Sequence, residues 1–227
     1  MKSGWLFLLI STLFISRPAC AQTSAARARN STLLDVSGRA GPSLNQVAVA
    51  GWRLWGVGPN GRLQVGVGLR GRLLFAIGDP YVGQDTPNSQ SGARYTLSVP
   101  AHQVLALNTA LHMRLRVVGP VRLGAVVDVA GLSFGPAFDG IGLRDGLVAT
   151  LVHLRPERYN LQLGDAHAHG TLASEWYVAV DLPHAFGLRV GYAHVVTART
   201  ADEPREYAGR YQSTDNQFIA GVTYTLP

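Results

Sequence analysis

The residues whose types could do chemistry are few, and their spacing argues against most of it. Asp165, His167 and His169 form an Asp-x-His-x-His run. Its two histidines could share a metal ion with Asp165, but a zinc site takes three or four firm ligands, and this i, i+2 spacing in a loop lacks a firm third. Ser174 and His194 could meet on paired strands, as a hydrolase nucleophile and base must. No nucleophile motif surrounds the serine, and His194 falls on the apolar side of its strand. Gly66-x-Gly68 lies inside a strand pattern instead of opening a helix, so it is no phosphate loop. The reading is of a non-enzyme with no catalytic, cofactor or metal site. What remains is charge: every basic residue after Lys2 is arginine, and the arginines are spread along the chain.

The first stretch reads as a targeting segment. Lys2 supplies the positive start, Trp5 to Ile15 an apolar run, and Ala19-Cys20-Ala21 a small-x-small cleavage site, giving a signal peptide over 1–21. Acylation of Cys20 competes with cleavage, but Arg17 stands where a lipobox wants an aliphatic residue. Cleavage after Ala21 removes the one cysteine, leaving neither disulfide nor thiolate. Basic residues then fall from 20 to 18 against 14 acidic ones, a net charge of +4. That balance, with export, excludes nucleic acid as a partner. No apolar run approaches the ~18 residues of a membrane helix, so a membrane-spanning form must be a closed sheet. The domains expected are the signal peptide, a flexible segment over 22–30, and a single barrel domain over 31–227.

Alternation with a period of two carries the argument for that sheet. From Val104 to Val118, Leu105, Leu107, Leu111, Met113, Leu115 and Val117 alternate with Asn108, His112, Arg114 and Arg116. The same rhythm runs through Arg62–Ile77, Val121–Val129, Glu175–Leu182, Leu188–Val196 and Phe218–Leu226. It is less regular in Asn45–Val57, where Ala48, Ala50, Trp52 and Leu54 form the expected apolar face, and short in Ser31–Ala40. Tight turns at Gly58-Pro59-Asn60-Gly61, Gly119-Pro120 and Pro183–Gly187 alternate with long connections at 79–102, 136–172 and 201–214. Short turns at one end and long loops at the other predict an all-β fold: a single antiparallel up-and-down transmembrane β-barrel of eight strands.

A membrane barrel turns its apolar faces outward and its polar faces inward. Aromatic residues Trp52, Phe75, Trp176, Tyr192, Phe218 and Tyr224 are then expected in outer girdles. The lumen is expected to hold Asp35, Arg53, Arg70, Arg72, Arg114, Arg116, Arg122, Asp128, Glu175, Asp181 and Arg189. In eight strands the interior is about filled by side chains, so these charges must pair with one another. Glycines Gly66, Gly68, Gly124, Gly191 and Gly221 on the polar faces suit such a crowded interior.

The strands, once placed, carry a family resemblance. Asn108–Gly135 (NTALHMRLRVVGPVRLGAVVDVAGLSFG) resembles the strand, turn, strand, G-x-SFG block of a family of Bacteroidetes outer-membrane β-barrel proteins. Arg158–Asp165 and Gly170–Tyr177 resemble its "fNlLLvGD … GsLnSEfY" block, and Leu188–Tyr192 and Gln217–Leu226 continue the match. The resemblance implies the barrel fold and an outer-membrane location, and brings no activity or catalytic residues. Such barrels end in an aromatic residue, whereas this chain ends Tyr224-Thr225-Leu226-Pro227. The function expected is structural or surface-interacting, in a porin-like barrel of a Gram-negative outer membrane. Its partners would be outer-membrane lipids, the assembly machinery and periplasmic chaperones during biogenesis, and an external ligand at loops 79–102 and 136–172. Alternatives are a small channel with an arginine-lined lumen and a soluble lipocalin-like binder.

Overall fold

Alternation becomes strand throughout the computed structural model, which describes residues 30–58, 61–78, 80–84, 95–144, 147–164, 168–202 and 209–226. The signal peptide, segment 22–29, Asp165 and His167 lie outside the described residues. The strands are β1 (Asn30–Ala40), β2 (Leu44–Val57), β3 (Leu63–Ala76), β4 (Pro80–Gln84), β5 (Tyr95–Ser98), β6 (His102–Val118) and β7 (Val121–Phe134). They continue as β8 (Phe138–Arg144), β9 (Leu147–Pro156), β10 (Tyr159–Leu161), β11 (Thr171–Asp181), β12 (Phe186–Ala201) and β13 (Arg210–Leu226). All pairings are antiparallel, in one 13-stranded sheet.

The expectation of eight strands falls short of these thirteen, because two of the long connections carry strands of their own: β4 and β5 within 79–102, and β8, β9 and β10 within 136–172. Within 136–172, Val152 and Leu154 are buried while Leu151, His153 and Arg155 are exposed. That is the period of two again, in a stretch whose glycines and polar residues read as loop.

The pairings close two rings. The larger runs β1–β2–β3–β6–β7–β11–β12–β13 and back to β1. Three of its tight turns lie at one end, where Gly58 (φ +81°) and Gly119 (φ +52°) take backbone angles that side chains disfavour, and the short β1–β2 turn, closed by the Gly41 amide donating to the Leu44 carbonyl, lies at the other. At the other end β11 and β1 stop short of their long neighbours. There β9 takes the free edge of β12 and β4 that of β13, so β12–β9–β8–β5–β4–β13 close a smaller ring on top of the first. Strand β10 pairs with β7 above β11.

The rings have opposite polarity. In the larger ring the outward residues are apolar, among them Leu69, Leu111, Trp176, Val190 and Phe218, which is 77% exposed. Most of its arginines, carboxylates and amides point inward, with Asn45, Arg53 and Asn216 exposed. In the smaller ring Tyr81, Leu97, Val99, Val152, Leu154, Ala201 and Tyr211 form an apolar core with Phe138 against it, while Asp139, His153 and Arg155 stand on the outside.

Candidate functional site

The lumen of the larger ring holds the densest chemistry. Glu175, from β11, lies 1% exposed and pairs with Arg39 of β1, Arg70 of β3 and Arg189 of β12, the last at 3.2 Å. Arg70 also pairs with Asp128 of β7, which meets Arg72 at 2.7 Å. Asp128 Oδ2 accepts from Asn108 Nδ2 and from the Ala173 amide, both at 2.9 Å. Arg189 Nη2 donates to Asp35 Oδ1 at 2.9 Å and to Ser37 Oγ at 3.0 Å. Four arginines and three carboxylates from five strands thus form a ring across the barrel. Desolvating so many charges is costly, and only mutual pairing offsets it.

A layer of rings lies toward the short-turn end. Trp52 meets His112 edge-on at 4.6 Å, His112 Nε2 and the Tyr177 hydroxyl are hydrogen-bonded, and the Arg189 guanidinium sits 5.1 Å from the Tyr177 ring centroid. Trp52 is 2% exposed, which corrects its place in an outer girdle. Strand β2 is apolar on both faces, so alternation could not orient it. The decision came from β3: Gly68 faces Trp52 and Gly66 faces Leu54. A Cβ on Gly68 would lie 2.3 Å from the indole, so only glycine leaves room for it. Gly124 makes the same space for Tyr177. Val47, Val49, Trp55 and Val57 are the outward residues of β2.

That reversal moves Arg53 as well. It lies on the outer face, exposed, with Nη1 donating to Thr32 Oγ1 at 2.9 Å, not in the lumen. Arg116 is exposed at the short-turn mouth, two residues beyond the buried Arg114. Asp35, Arg70, Arg72, Arg122, Asp128, Glu175 and Arg189 are buried, and Asp181 is half-buried. Of the expected girdle, Trp176, Tyr192 and Phe218 are exposed, whereas Phe75 and Tyr224 are half-buried. Sequence reading passed over Arg39, Gln46, Gln217 and Tyr177. Arg39 follows Asp35 and Ser37 at a spacing of two, a signal that the short β1 made easy to miss.

The remaining candidates are separate from this ring. Ser174 stands opposite His194 in the register, and the imidazole Nδ1 is 2.9 Å from Asn216 Oδ1. His169 contacts Glu157, which accepts from Arg210 and so ties β13 to the segment before β10. Among the described residues no cluster of three His, Cys, Asp or Glu could hold a metal ion.

On the outside of the smaller ring, His153 Nδ1 lies 2.7 Å from Asp139 and Nε2 3.7 Å from Asp202, which also meets Arg155 at 3.1 Å. The hydrogen bond to Asp139, with the charges of both carboxylates, raises the His153 pKa above the ordinary imidazole value. A raised folded-state pKa stabilises the native form below the unfolded value and ceases to do so as pH rises through the folded value. Protection from hydrogen exchange in β8 and β9, corrected for the base-catalysed rise of the intrinsic rate, is therefore expected to fall as pH rises through and above the ordinary imidazole range, and His153→Gln to flatten that dependence. An unchanged profile in the variant would remove His153 from the contact's energetics.

Together these features define a closed antiparallel β-barrel of inverted polarity, filled with paired charges and capped by a second ring of ordinary polarity. No protein-family model matches the chain, and no curated protein matches it. Among solved structures it is similar to Neisserial surface protein A, with a TM-score of 0.42, 8% identity, and coverage of 87% of this chain and 97% of that one. It is also similar to a de novo designed transmembrane β-barrel, with a TM-score of 0.33, 13% identity, and coverage of 86% and 95%.

Proposed function

We propose that the chain is an outer-membrane β-barrel with a structural or surface-interaction role, presenting its smaller ring to water from a lumen that does not conduct. The reversal of polarity along the barrel axis carries this reading. A soluble monomer does not leave a barrel wall apolar almost all round, and a wall in lipid does not carry the exposed charges of the cap. On β6 the apolar outward residues run from Leu105 to Val117, which at a ~40° tilt is about 30 Å of wall, against an apolar band of ~25 Å in such barrels. Thr109 interrupts them, and its hydroxyl donates to the Ala130 carbonyl at 2.9 Å, so it brings no unsatisfied donor into lipid.

The filled lumen supports the absence of transport, and a charged interior suits no apolar ligand of the lipocalin kind. The absence of catalysis, the exported N-terminus and kinship with the Bacteroidetes barrel family belong to the same proposal, the last resting on the resemblance of Asn108–Gly135, Arg158–Asp165 and Gly170–Tyr177. So do the assembly machinery as a partner in biogenesis and an external ligand at the cap. Fractionation with surface proteolysis tests it. The protein is expected in the outer membrane, with heat-modifiable migration and cleavage confined to the cap loops, and without conductance steps in planar bilayers. Recovery from the soluble periplasm would sink the reading, and conductance abolished by Arg70→Ser would replace it with the channel.

A further inference from the structure

The pairing that neutralises the mid-barrel ring does not extend to the short-turn mouth. Four arginines gather there on three adjacent strands. Arg114 and Arg116 belong to β6, Arg122 to β7, and Arg62 stands just before β3, two residues from the buried Gln64. The register sets Gln64 opposite Arg114 and Arg116 opposite Arg122, and the Arg116 amide donates to the Arg62 carbonyl at 2.8 Å. Asp181 is the carboxylate that meets this group. Arg122 holds it with Nε at 2.7 Å and Nη2 at 2.6 Å, whereas Arg114 reaches it at 3.4 Å. Arg114 is 4% exposed, and its Nε has no hydrogen-bond partner. Among the described residues, Arg62 and Arg116 have no ion-pair partner.

Like charges facing each other across a strand pair repel, and a guanidinium kept from bulk water needs a counter-charge. Four arginines against one carboxylate leave a surplus of three positive charges in one vestibule. We infer that this mouth binds a phosphate-type oxyanion from the aqueous side. Arg114 and Arg122 already meet at Asp181, and with Arg62 and Arg116 beside them on adjacent strands such guanidinium forks match an anion with three or four acceptor oxygens and a charge near −2 better than a single carboxylate. The group follows the luminal residues Gln64 and Arg114, not the lipid-side face, where Arg53 is already bonded to Thr32. Trp52, His112 and Tyr177 fill the barrel above the vestibule, so the anion is held and not passed. The inference rests on luminal geometry and does not depend on the membrane reading.

The test uses the full folded chain in a zwitterionic detergent, titrated with inorganic phosphate at constant ionic strength made up with chloride. A saturable rise in Tm with phosphate is expected. In the double variant Arg62→Ser/Arg116→Ser the apparent affinity should fall at least about tenfold, while Arg155→Ser at the far end leaves it unchanged. Arg62 and Arg116 are both exposed, so the barrel survives their loss, and heat-modifiable migration checks that it has. No phosphate-specific rise in the parent protein, or an equal rise in the double variant, overturns the inference. A second arm measures phosphatidylglycerol retained from mixed micelles by mass spectrometry. Retention that the double variant loses, without any response to free phosphate, would assign the patch to a lipid headgroup and overturn the soluble-anion assignment.

Discussion

Glu175→Ala is expected to cost about 3–5 kcal/mol, or to prevent folding, because it strands charges that one carboxylate neutralises. Arg39, Arg70 and Arg189 converge on it from three strands, and all are buried. Arg70 retains Asp128 and Arg189 retains Asp35, but Arg39 keeps only its bond to Gln46 at 2.9 Å. Urea unfolding followed by heat-modifiable migration reads the loss. Pairing Glu175→Ala with Arg39→Met is expected to recover part of it, since removing both members of a buried pair is cheaper than removing one. A single variant as stable as the parent would mean that solvent reaches the ring.

Leu111→Arg is expected to cost about 2–4 kcal/mol in a lipid bilayer, the penalty for arginine at the midplane of a barrel wall. Leu111 sits midway along the outward row of β6, 54% exposed, between Val67 of β3 and Val127 of β7. In water a charged residue at so exposed a site changes stability by about 0.5 kcal/mol or less. Refolding into vesicles against refolding in a mild detergent therefore separates a lipid-facing wall from a solvent-facing one. Equal, small effects in both would count against membrane residence. Leu151→Arg, on the outside of the smaller ring and 71% exposed, is the control expected to be silent.

The lumen was legible where one face of a strand is charged and the other apolar. Arg70 and Arg72 against Leu69 and Leu73, or Glu175 against Trp176, leave no choice of face in either direction. Strand β2 offers apolar residues at every position from Val47 to Ala50, and there the orientation of Trp52, and with it Arg53, could not be read locally. Gly66 and Gly68 hold that information on a different strand, and their meaning emerges only when the register brings them opposite Leu54 and Trp52.

The smaller ring was hidden for another reason. Its strands β4–β5 and β8–β9 are hairpins, but β5 meets β8, β9 meets β12 and β4 meets β13 across separations that hairpin reasoning does not join. From residue order alone came the alternation, the short and long connections, and the chemical character of each face, because a period of two is a local property of the backbone. Which arginine meets which carboxylate, that Arg39 completes the ring while Arg116 stays at the mouth, and that the long connections close a cap were decided by the tertiary structure. The reason is physical: a buried charge is neutralised by whatever closure of the sheet brings within a few ångströms, and closure is a property of the whole chain.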